Sequence, residues 1–99
     1  MPATPFEEKV FKAAKRVPRG KVSTYKRLAQ AIGSPNASRA VGNALNKNRD
    51  PRVPCHRIVR SGGKAGGFAR GSGEKQRILR QEGVPIVRGR VDPAFVIEL

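Results

Sequence analysis

Residues 23–47, STYKRLAQAIGSPNASRAVGNALNK, decide the fold. Ser23 and Ser34-Pro35 each precede apolar residues that recur at helical spacing, and Gly33 is a natural stop between the two runs. The apolar positions are Tyr25, Leu28, Ala29 and Ile32 in the first run and Ala37, Val41, Ala44 and Leu45 in the second. The pattern predicts two short helices joined by a tight turn, which is a helix-turn-helix.

The second predicted helix also has a polar side that its apolar stripe leaves exposed. This side consists of Ser38, Arg39, Asn43, Asn46 and Lys47. Arg39 and Asn43 carry donor groups suited to phosphates and base edges, and the second helix of a helix-turn-helix is the usual reader of DNA. An ordinary helical hairpin with a solvated face is the alternative interpretation.

Another helix is predicted before this motif. Thr4-Pro5-Phe6-Glu7 supplies an N-cap, a proline at the first helical position and a capping-box glutamate. The apolar residues of its inner face are Phe6, Val10, Ala13, Ala14 and Val17. Pro18-Arg19-Gly20 is expected to end this helix.

The chain after the motif is less regular. Residues 52–60 predict an extended segment, and residues 61–73 predict a glycine-rich loop. A last helix is predicted to begin at Ser72 or Gly73 and to end at Glu82-Gly83. This helix is expected to bury Ile78 and Leu79. The apolar patches of residues 84–99 predict a short strand or an extended arm.

Charge and composition narrow the function. Twenty-one Lys and Arg against seven Asp and Glu give a formal net charge of +14 on 99 residues, which favours a polyanionic partner. Nucleic acid is the first candidate, an anionic membrane surface the second, and a merely basic, soluble surface the third. No apolar run is long enough to span a membrane and no signal peptide is recognisable, so a soluble intracellular protein is expected.

The single cysteine, Cys55, lies in the run Pro54-Cys55-His56-Arg57, and being alone it excludes an internal disulfide. A nucleophilic thiol needs a base, and His56 is the only histidine. Adjacent side chains of an extended segment point to opposite sides, so this pairing requires a turn or a bridging water. A buried structural cysteine is the alternative.

A third group would have to orient the imidazole, and the candidate carboxylates are few. They are Glu7, Glu8, Asp50 and Glu82, among which spacing alone does not choose. One cysteine and one histidine do not complete the four ligands that zinc prefers, so no metal is expected.

Residues 54–59, PCHRIV, resemble the PCHRV motif of alkylguanine-DNA alkyltransferases, which reverse alkylation of guanine oxygen 6. Further matches stand in the same order along the chain: Gly20–Tyr25 with GxVxxY, Ser38–Ala44 with the RAVGxA recognition helix, Gly66-Gly67-Phe68 with the loop after the cysteine, and Glu82-Gly83 with the final EG. The resemblance covers residues 5–88 and leaves 89–99 as a C-terminal tail of one domain, 1–99.

The resemblance implies a role for each of five site residues. Cys55 would accept the alkyl group, His56 would act as its base through a water, and Glu82 would orient His56. Tyr25 would place its hydroxyl near guanine N3 and help to rotate the phosphate. Arg39 would enter the duplex and fill the gap left by the extruded nucleotide.

The resemblance also implies the fold, the partner and the remaining contacts. The expected fold is mainly α, a winged helix-turn-helix with a short β wing and an active-site loop. The expected partner is duplex DNA carrying O(6)-alkylguanine, bound from the minor groove by a cytoplasmic, nucleoid-associated monomer without a cofactor. Ser38, Asn43, Arg57 and Phe68 complete the set of residues expected to contact DNA or the base.

Three departures from the family pattern are apparent. The usual N-terminal domain is missing, so the chain is expected to be the catalytic C-terminal domain standing alone. Phe68 replaces a frequent tyrosine, which keeps the stacking face and loses the hydroxyl. The segment before Cys55 is one residue shorter, and Asn48 is the expected hinge that braces it.

Two rival functions remain at this point. An alkyltransferase-like damage sensor shares the fold but commonly carries tryptophan in place of the reactive cysteine. The presence of Cys55 and the absence of tryptophan favour transfer, whereas the short chain favours the sensor. A plain winged-helix DNA-binding protein would show no special reactivity at Cys55.

Overall fold

The computed structural model describes residues 3–64 and 72–99. These residues form four α-helices: α1 (Pro5–Ala14), α2 (Tyr25–Ala31), α3 (Ser38–Lys47) and α4 (Ser72–Gln81). Two pairs of two-residue strands accompany them, β1 (Ser23–Thr24) parallel to β2 (Ile58–Val59) and β3 (Ile86–Val87) antiparallel to β4 (Arg90–Val91). None of the described helices is long and apolar enough to cross a membrane.

Helix α1 begins as its sequence predicts. Thr4 Oγ1 accepts a hydrogen bond from the Glu7 amide at 3.1 Å, and Glu7 Oε1 accepts one from the Thr4 amide at 2.9 Å. This capping box satisfies two amides that the first turn would otherwise leave without partners. The predicted inner face is confirmed at Val10, Ala13, Ala14 and Val17, which are buried.

The helix-turn-helix is confirmed, but its first helix is capped by Thr24 and not by Ser23. Thr24 Oγ1 accepts a hydrogen bond from the Arg27 amide at 3.0 Å. Ser23 instead lies in β1, fully buried, where its hydroxyl donates to the Ile97 carbonyl at 2.9 Å. Pairing with β2 holds Ser23 in the strand, so the first residue able to cap is the next one.

Helix α3 begins at Ser38, four residues later than the prediction from Ser34-Pro35. The Ala37 amide donates to the Ser34 carbonyl at 2.9 Å, which makes residues 34–37 a turn. Val41, Ala44 and Leu45 are buried as predicted. Ala37, which was expected in the same stripe, is only half-buried because it precedes the helix.

Two apolar clusters hold the domain together. The first joins α1, α2 and α3 and receives Val53 and Ile58. The second joins Leu79 of α4 to the strands; its other buried members are Val22, Val59, Val84, Ile86 and Val91. Ile78, predicted to be buried beside Leu79, is only half-buried.

The last residues of the chain pack onto this core. Val22 donates its amide to the Phe95 carbonyl at 2.9 Å and accepts from the Ile97 amide at 2.8 Å. A hairpin of β3 and β4 precedes this segment and turns at Arg88 and Gly89, both with positive φ. Two such residues form the kind of turn that matches the twist of paired strands.

Candidate active site and DNA-facing cleft

Cys55 lies in a turn, not in the extended segment that the sequence predicts. Residues Cys55–Arg57 form a single 3₁₀ turn before β2. The Cys55 amide donates to the Val53 carbonyl at 2.8 Å, and the Arg57 amide donates to the Pro54 carbonyl at 3.0 Å. Because the backbone turns here, Cys55 and His56 are not forced to opposite sides of a strand.

Asn48 connects the end of α3 to the thiol. Its Nδ2 donates to Cys55 Sγ at 3.3 Å and to the Asp50 carbonyl at 2.9 Å, while its Oδ1 accepts from the Asp50 amide at 3.1 Å. The thiol lies 3.6 Å from the Leu45 carbonyl, to which it donates. Asn48 therefore joins the end of α3 to the Cys55 turn by hydrogen bonds, and its role as the hinge stays a prediction.

The surroundings of Cys55 hold the thiol in its protonated form. Burial raises the pKa of Cys55, and it outweighs the opposing effects of the Asn48 hydrogen bond and the Lys75 charge, which both lower it. A buried thiol of this kind needs a base before it can act as a nucleophile. The half-buried His56 follows it directly in the turn.

Glu82 is the carboxylate that the fold places next to His56. The distance from His56 Nε2 to Glu82 Oε2 is 3.0 Å, and the two side chains are 17% and 7% exposed. The contact lacks hydrogen-bond alignment, since the buried Nε2 has no hydrogen-bond partner among the described residues. Burial lowers the pKa of His56 although Glu82 raises it, so the imidazole is neutral at pH 7 and able to accept a proton.

Arg57 holds Glu82 in place. Its Nε donates to Glu82 Oε1 at 3.0 Å and its Nη2 to Oε2 at 2.8 Å, while Nη1 donates to the Val17 carbonyl at 3.0 Å. Burial alone would raise the pKa of Glu82, but the two hydrogen bonds from Arg57 and the proximity of His56 outweigh it and keep the carboxylate ionised. The guanidinium is thus directed into the protein, whereas the sequence interpretation assigned Arg57 to DNA.

Lys75 is a site residue that sequence reasoning missed. It is fully buried, and its Nζ donates to the Ile58 carbonyl at 2.5 Å and to the Tyr25 hydroxyl at 3.2 Å. Burial lowers the pKa of Lys75 to about 8. The available signal was its position four residues before Leu79, which places both on the inner side of α4.

Tyr25 joins this buried group to an open cleft. Burial raises the pKa of its hydroxyl. Its ring packs against Gly42 of α3, where an added Cβ atom would lie 3.8 Å from the ring carbons. The cleft has a volume of about 450 Å³ and brings together four predicted residues, Tyr25, Ser38, Arg39 and Asn43. Its other lining residues, which the sequence analysis did not assign to DNA, include Lys26, Arg60 and Ser61.

The predicted stacking residue Phe68, with Gly66-Gly67 before it, lies outside the described residues. Its role therefore stays a prediction. A second groove, of about 440 Å³, lies between α2 and the segments around Gly63 and Val91. It contains Lys26 and Ser61 as well, but none of Ser38, Arg39 and Asn43, which the sequence analysis predicted to contact DNA.

The described residues combine a helix-turn-helix and a cleft lined by Lys26, Arg39 and Arg60 with a turn whose thiol and imidazole lie beside a buried carboxylate. This combination is the one expected of a DNA-binding domain of a DNA-repair protein. Residues 5–84 match the family model described as 6-O-methylguanine DNA methyltransferase, DNA binding domain, and the chain belongs to this family. A methylated-DNA–protein-cysteine methyltransferase of Methanosarcina acetivorans is 44% identical over 81 residues, which are 81% of this chain and 52% of that protein. The chain spans about half the length of the curated relatives it matches.

Two solved structures that resemble the chain contain DNA. The Mycobacterium tuberculosis OGT in complex with DNA has a TM-score of 0.79 and 38% identity, with 82% of this chain and 51% of that chain covered. Schizosaccharomyces pombe Atl1, in complex with damaged DNA containing O6-carboxymethylguanine, has a TM-score of 0.84 and 31% identity, with both chains covered completely. These likenesses support DNA binding and DNA repair for this chain.

Proposed function

We propose that this chain is a DNA-repair methyltransferase that extrudes O(6)-alkylguanine from duplex DNA and transfers the alkyl group to Cys55. The observation that carries the proposal is the turn in which Cys55 is held by Asn48 while His56 contacts Glu82. These residues supply the nucleophile, its base and the orienting carboxylate in one place.

DNA binding is assigned to the cleft beside α3. Arg39 and Asn43 are exposed there, and Lys26 and Arg60 add positive charge along the same surface. In the proposed complex α3 lies in the minor groove, and Arg39 enters the duplex in place of the extruded nucleotide, offsetting part of the few kcal/mol that extrusion costs. The β3–β4 hairpin is our candidate for the wing.

The transfer itself is a single displacement. His56, acting through a water, accepts the Cys55 proton, and the thiolate attacks the alkyl carbon as the bond from that carbon to guanine O6 breaks. The electron pair leaves with the guanine, which takes a proton from the Tyr25 hydroxyl at N3 or O6. The proton held by His56 restores the tyrosine, so the reaction balances without a cofactor.

The thioether formed on Cys55 is stable, so each molecule is expected to act once as a monomer. The test is a stoichiometric assay on duplex DNA with a single O6-methylguanine, in which restored guanine is measured against protein added. One guanine per molecule is expected, and none with Cys55→Ser. Arg39→Ala, a control that spares the thiol, should slow repair and leave the fold intact.

A damage sensor is the second candidate, because Atl1 covers the whole of this chain with the higher TM-score of the two structures compared above. A sensor would bind the O6-methylguanine duplex in preference to undamaged DNA and restore no guanine. Preferential binding with no guanine restored at any protein excess would therefore replace the transfer proposal with the sensor. Equal binding of both duplexes would instead indicate a plain DNA-binding module.

A further inference from the structure

Tyr25 has a cation on its buried side and another on its open side. Lys75 of α4 is fully buried, and its Nζ donates a hydrogen bond to the Tyr25 hydroxyl at 3.2 Å. Arg60 is exposed and lines the cleft beside α3 together with Tyr25. The first cation belongs to the protein interior, whereas the second lies on the surface that is proposed to receive DNA.

The pairing of β1 with β2 brings Arg60 next to Tyr25. The two strands are parallel, and Thr24 is paired with Val59 as the last residue of each strand. Tyr25 and Arg60 directly follow these two residues, and paired strands lie about 4.8 Å apart. The Arg60 amide also donates to the Lys64 carbonyl at 2.8 Å. The backbone of both strands therefore fixes the two residues as neighbours at one end of the sheet.

Arg60 differs from the other exposed cations of the chain in the group that its charge reaches. Lys26 and Arg39 line the same cleft, and none of the described lining residues is acidic. Burial raises the pKa of the Tyr25 hydroxyl and Cys55 raises it further, whereas Arg60 is the cleft cation that lowers it. No salt bridge within the described part of the chain involves Arg60, so no carboxylate there holds its guanidinium.

A tyrosine that gives up its proton in this site needs positive charge nearby. In the proposed transfer the Tyr25 hydroxyl protonates the departing guanine, and its oxygen carries a negative charge until the proton held by His56 restores it. Burial makes such an anion costly. Lys75, with a pKa of about 8, loses its charge as the pH rises through that value, whereas an arginine stays charged. The permanent charge beside Tyr25 is that of Arg60.

We propose that Arg60 is a positioning residue for alkyl transfer: its guanidinium stabilises the negative charge that develops on the Tyr25 oxygen while that hydroxyl gives its proton to guanine. The inference rests on the proposed function and adds to it a residue that is neither nucleophile nor base. No bond to Arg60 forms or breaks, so the proton balance of the transfer is unchanged. Because Arg60 acts through Tyr25, its effect should disappear when the tyrosine hydroxyl is removed.

The test is a double-mutant cycle on the rate of methyl transfer at saturating duplex, which separates the chemical step from DNA binding. Arg60→Gln should slow transfer by about tenfold, less than the loss of a hydrogen-bond donor that contacts the reacting atoms. In a Tyr25→Phe background the same change should alter the rate by less than about twofold. Arg60→Lys keeps the charge and should retain most of the rate.

A matched control removes a different charge from the same cleft. Lys26→Gln should weaken duplex binding, because Lys26 lines the cleft beside Arg60. Its rate should not be coupled to the tyrosine hydroxyl, so Tyr25→Phe should slow Lys26→Gln by the same factor as it slows the wild type. The control therefore separates the action on Tyr25 from a general loss of positive charge.

A second measurement needs neither DNA nor transfer. Tyr25 is the only tyrosine and the chain has no tryptophan, so the near-ultraviolet absorbance of tyrosinate reports on this residue alone. The titration is run over the pH range in which circular dichroism shows an intact fold. Arg60→Gln should ionise at a higher pH than the wild type, and Lys26→Gln should shift the titration less.

Each contrary result overturns the inference. Equal slowing by Arg60→Gln with and without the tyrosine hydroxyl would show that Arg60 does not act through Tyr25. A loss confined to duplex affinity would make Arg60 a phosphate contact only, and an unchanged titration would show that its charge does not reach the hydroxyl. All three leave the proposed function standing. A wild-type protein that restores no guanine would overturn the proposed function and the role of Arg60 with it.

Discussion

Replacing Arg57 with alanine should destabilise the fold and not merely weaken DNA binding. The guanidinium makes two hydrogen bonds to a carboxylate that is only 7% exposed and a third to the Val17 carbonyl. Its loss leaves Glu82 buried without its main partner. Breaking such a pair costs about 3–5 kcal/mol, and the 18% exposure of Arg57 places the expected loss near the lower end.

Urea unfolding of Arg57→Ala measures this loss directly. We expect the free energy of unfolding to fall by about 3 kcal/mol with an unchanged m value, equivalent to a fall in Tm of at least about 12 °C for a domain of this size. Arg57→Lys keeps the charge but loses the two-pronged contact, so roughly half the loss is expected. Arg57→Met combined with Glu82→Gln should be less destabilising than the sum of the single changes.

The alternative, a DNA contact, predicts the opposite pair of results. If Arg57→Ala lost less than about 1 kcal/mol of stability while duplex affinity fell at least tenfold, the inward role of Arg57 would be refuted. The same titration on undamaged DNA separates a phosphate contact from a lesion contact. The geometry of Arg57 and Glu82 agrees only with a large loss in the free energy of unfolding and little change in duplex affinity under conditions in which the variant is folded.

Other residues of the site and the fold give further predictions. Asn48→Ala removes a hydrogen-bond donor to Cys55 Sγ and should raise the pKa of the thiol further, so that iodoacetamide alkylates it more slowly at neutral pH. If the pH profile of the alkylation rate did not change, the contact between Asn48 and the thiol would be excluded. The pKa of Lys75 is about 8 in the folded protein and 10.5 in the unfolded chain, so the unfolded state binds more protons between these pH values. The free energy of unfolding should therefore rise with pH in this window, by up to about 1.4 kcal/mol per pH unit relative to Lys75→Met. If the difference between the two proteins did not change with pH, the burial of Lys75 as a cation would be contradicted. Gly63→Ala should cost about 2–3 kcal/mol in chemical unfolding, because φ is +87° and the added carbon would lie 2.8 Å from a β4 carbonyl oxygen. Its control, Gly73→Ala in α4, meets nothing and should stabilise by about 0.5–1 kcal/mol.

The features that local sequence predicts are those that local interactions decide. The capping box of α1 joins residues three apart, and the apolar stripe of α3 repeats within two turns, so both are legible in the sequence. Gly33 and Gly83 end their helices with positive φ, as expected of glycine at such positions. The predicted start of α3 at Ser34-Pro35 was four residues too early, because residues 34–37 form a turn before the helix begins at Ser38.

The features that the sequence did not predict depend on distant contacts. Ser23 is drawn into a strand by pairing with β2, and Arg57 is turned inward by a carboxylate 25 residues away. Lys75 is buried because Ile58 and Tyr25, on other elements, supply its partners. Periodicity and propensity carry no information on such pairings, so the resemblance to a family identified Glu82 where spacing could not.

Transfer of the alkyl group to Cys55 is the central claim, and an isotopically labelled lesion tests it most directly. Duplex DNA with a trideuteromethyl group on guanine O6 is incubated with the protein, which is then digested with trypsin; cleavage after Arg52 and Arg57 releases residues 53–57 with the thiol. Fragmentation should locate the label on Cys55, in proportion to the guanine restored. A peptide of unchanged mass, after incubation under conditions in which the duplex is fully bound, would contradict the account.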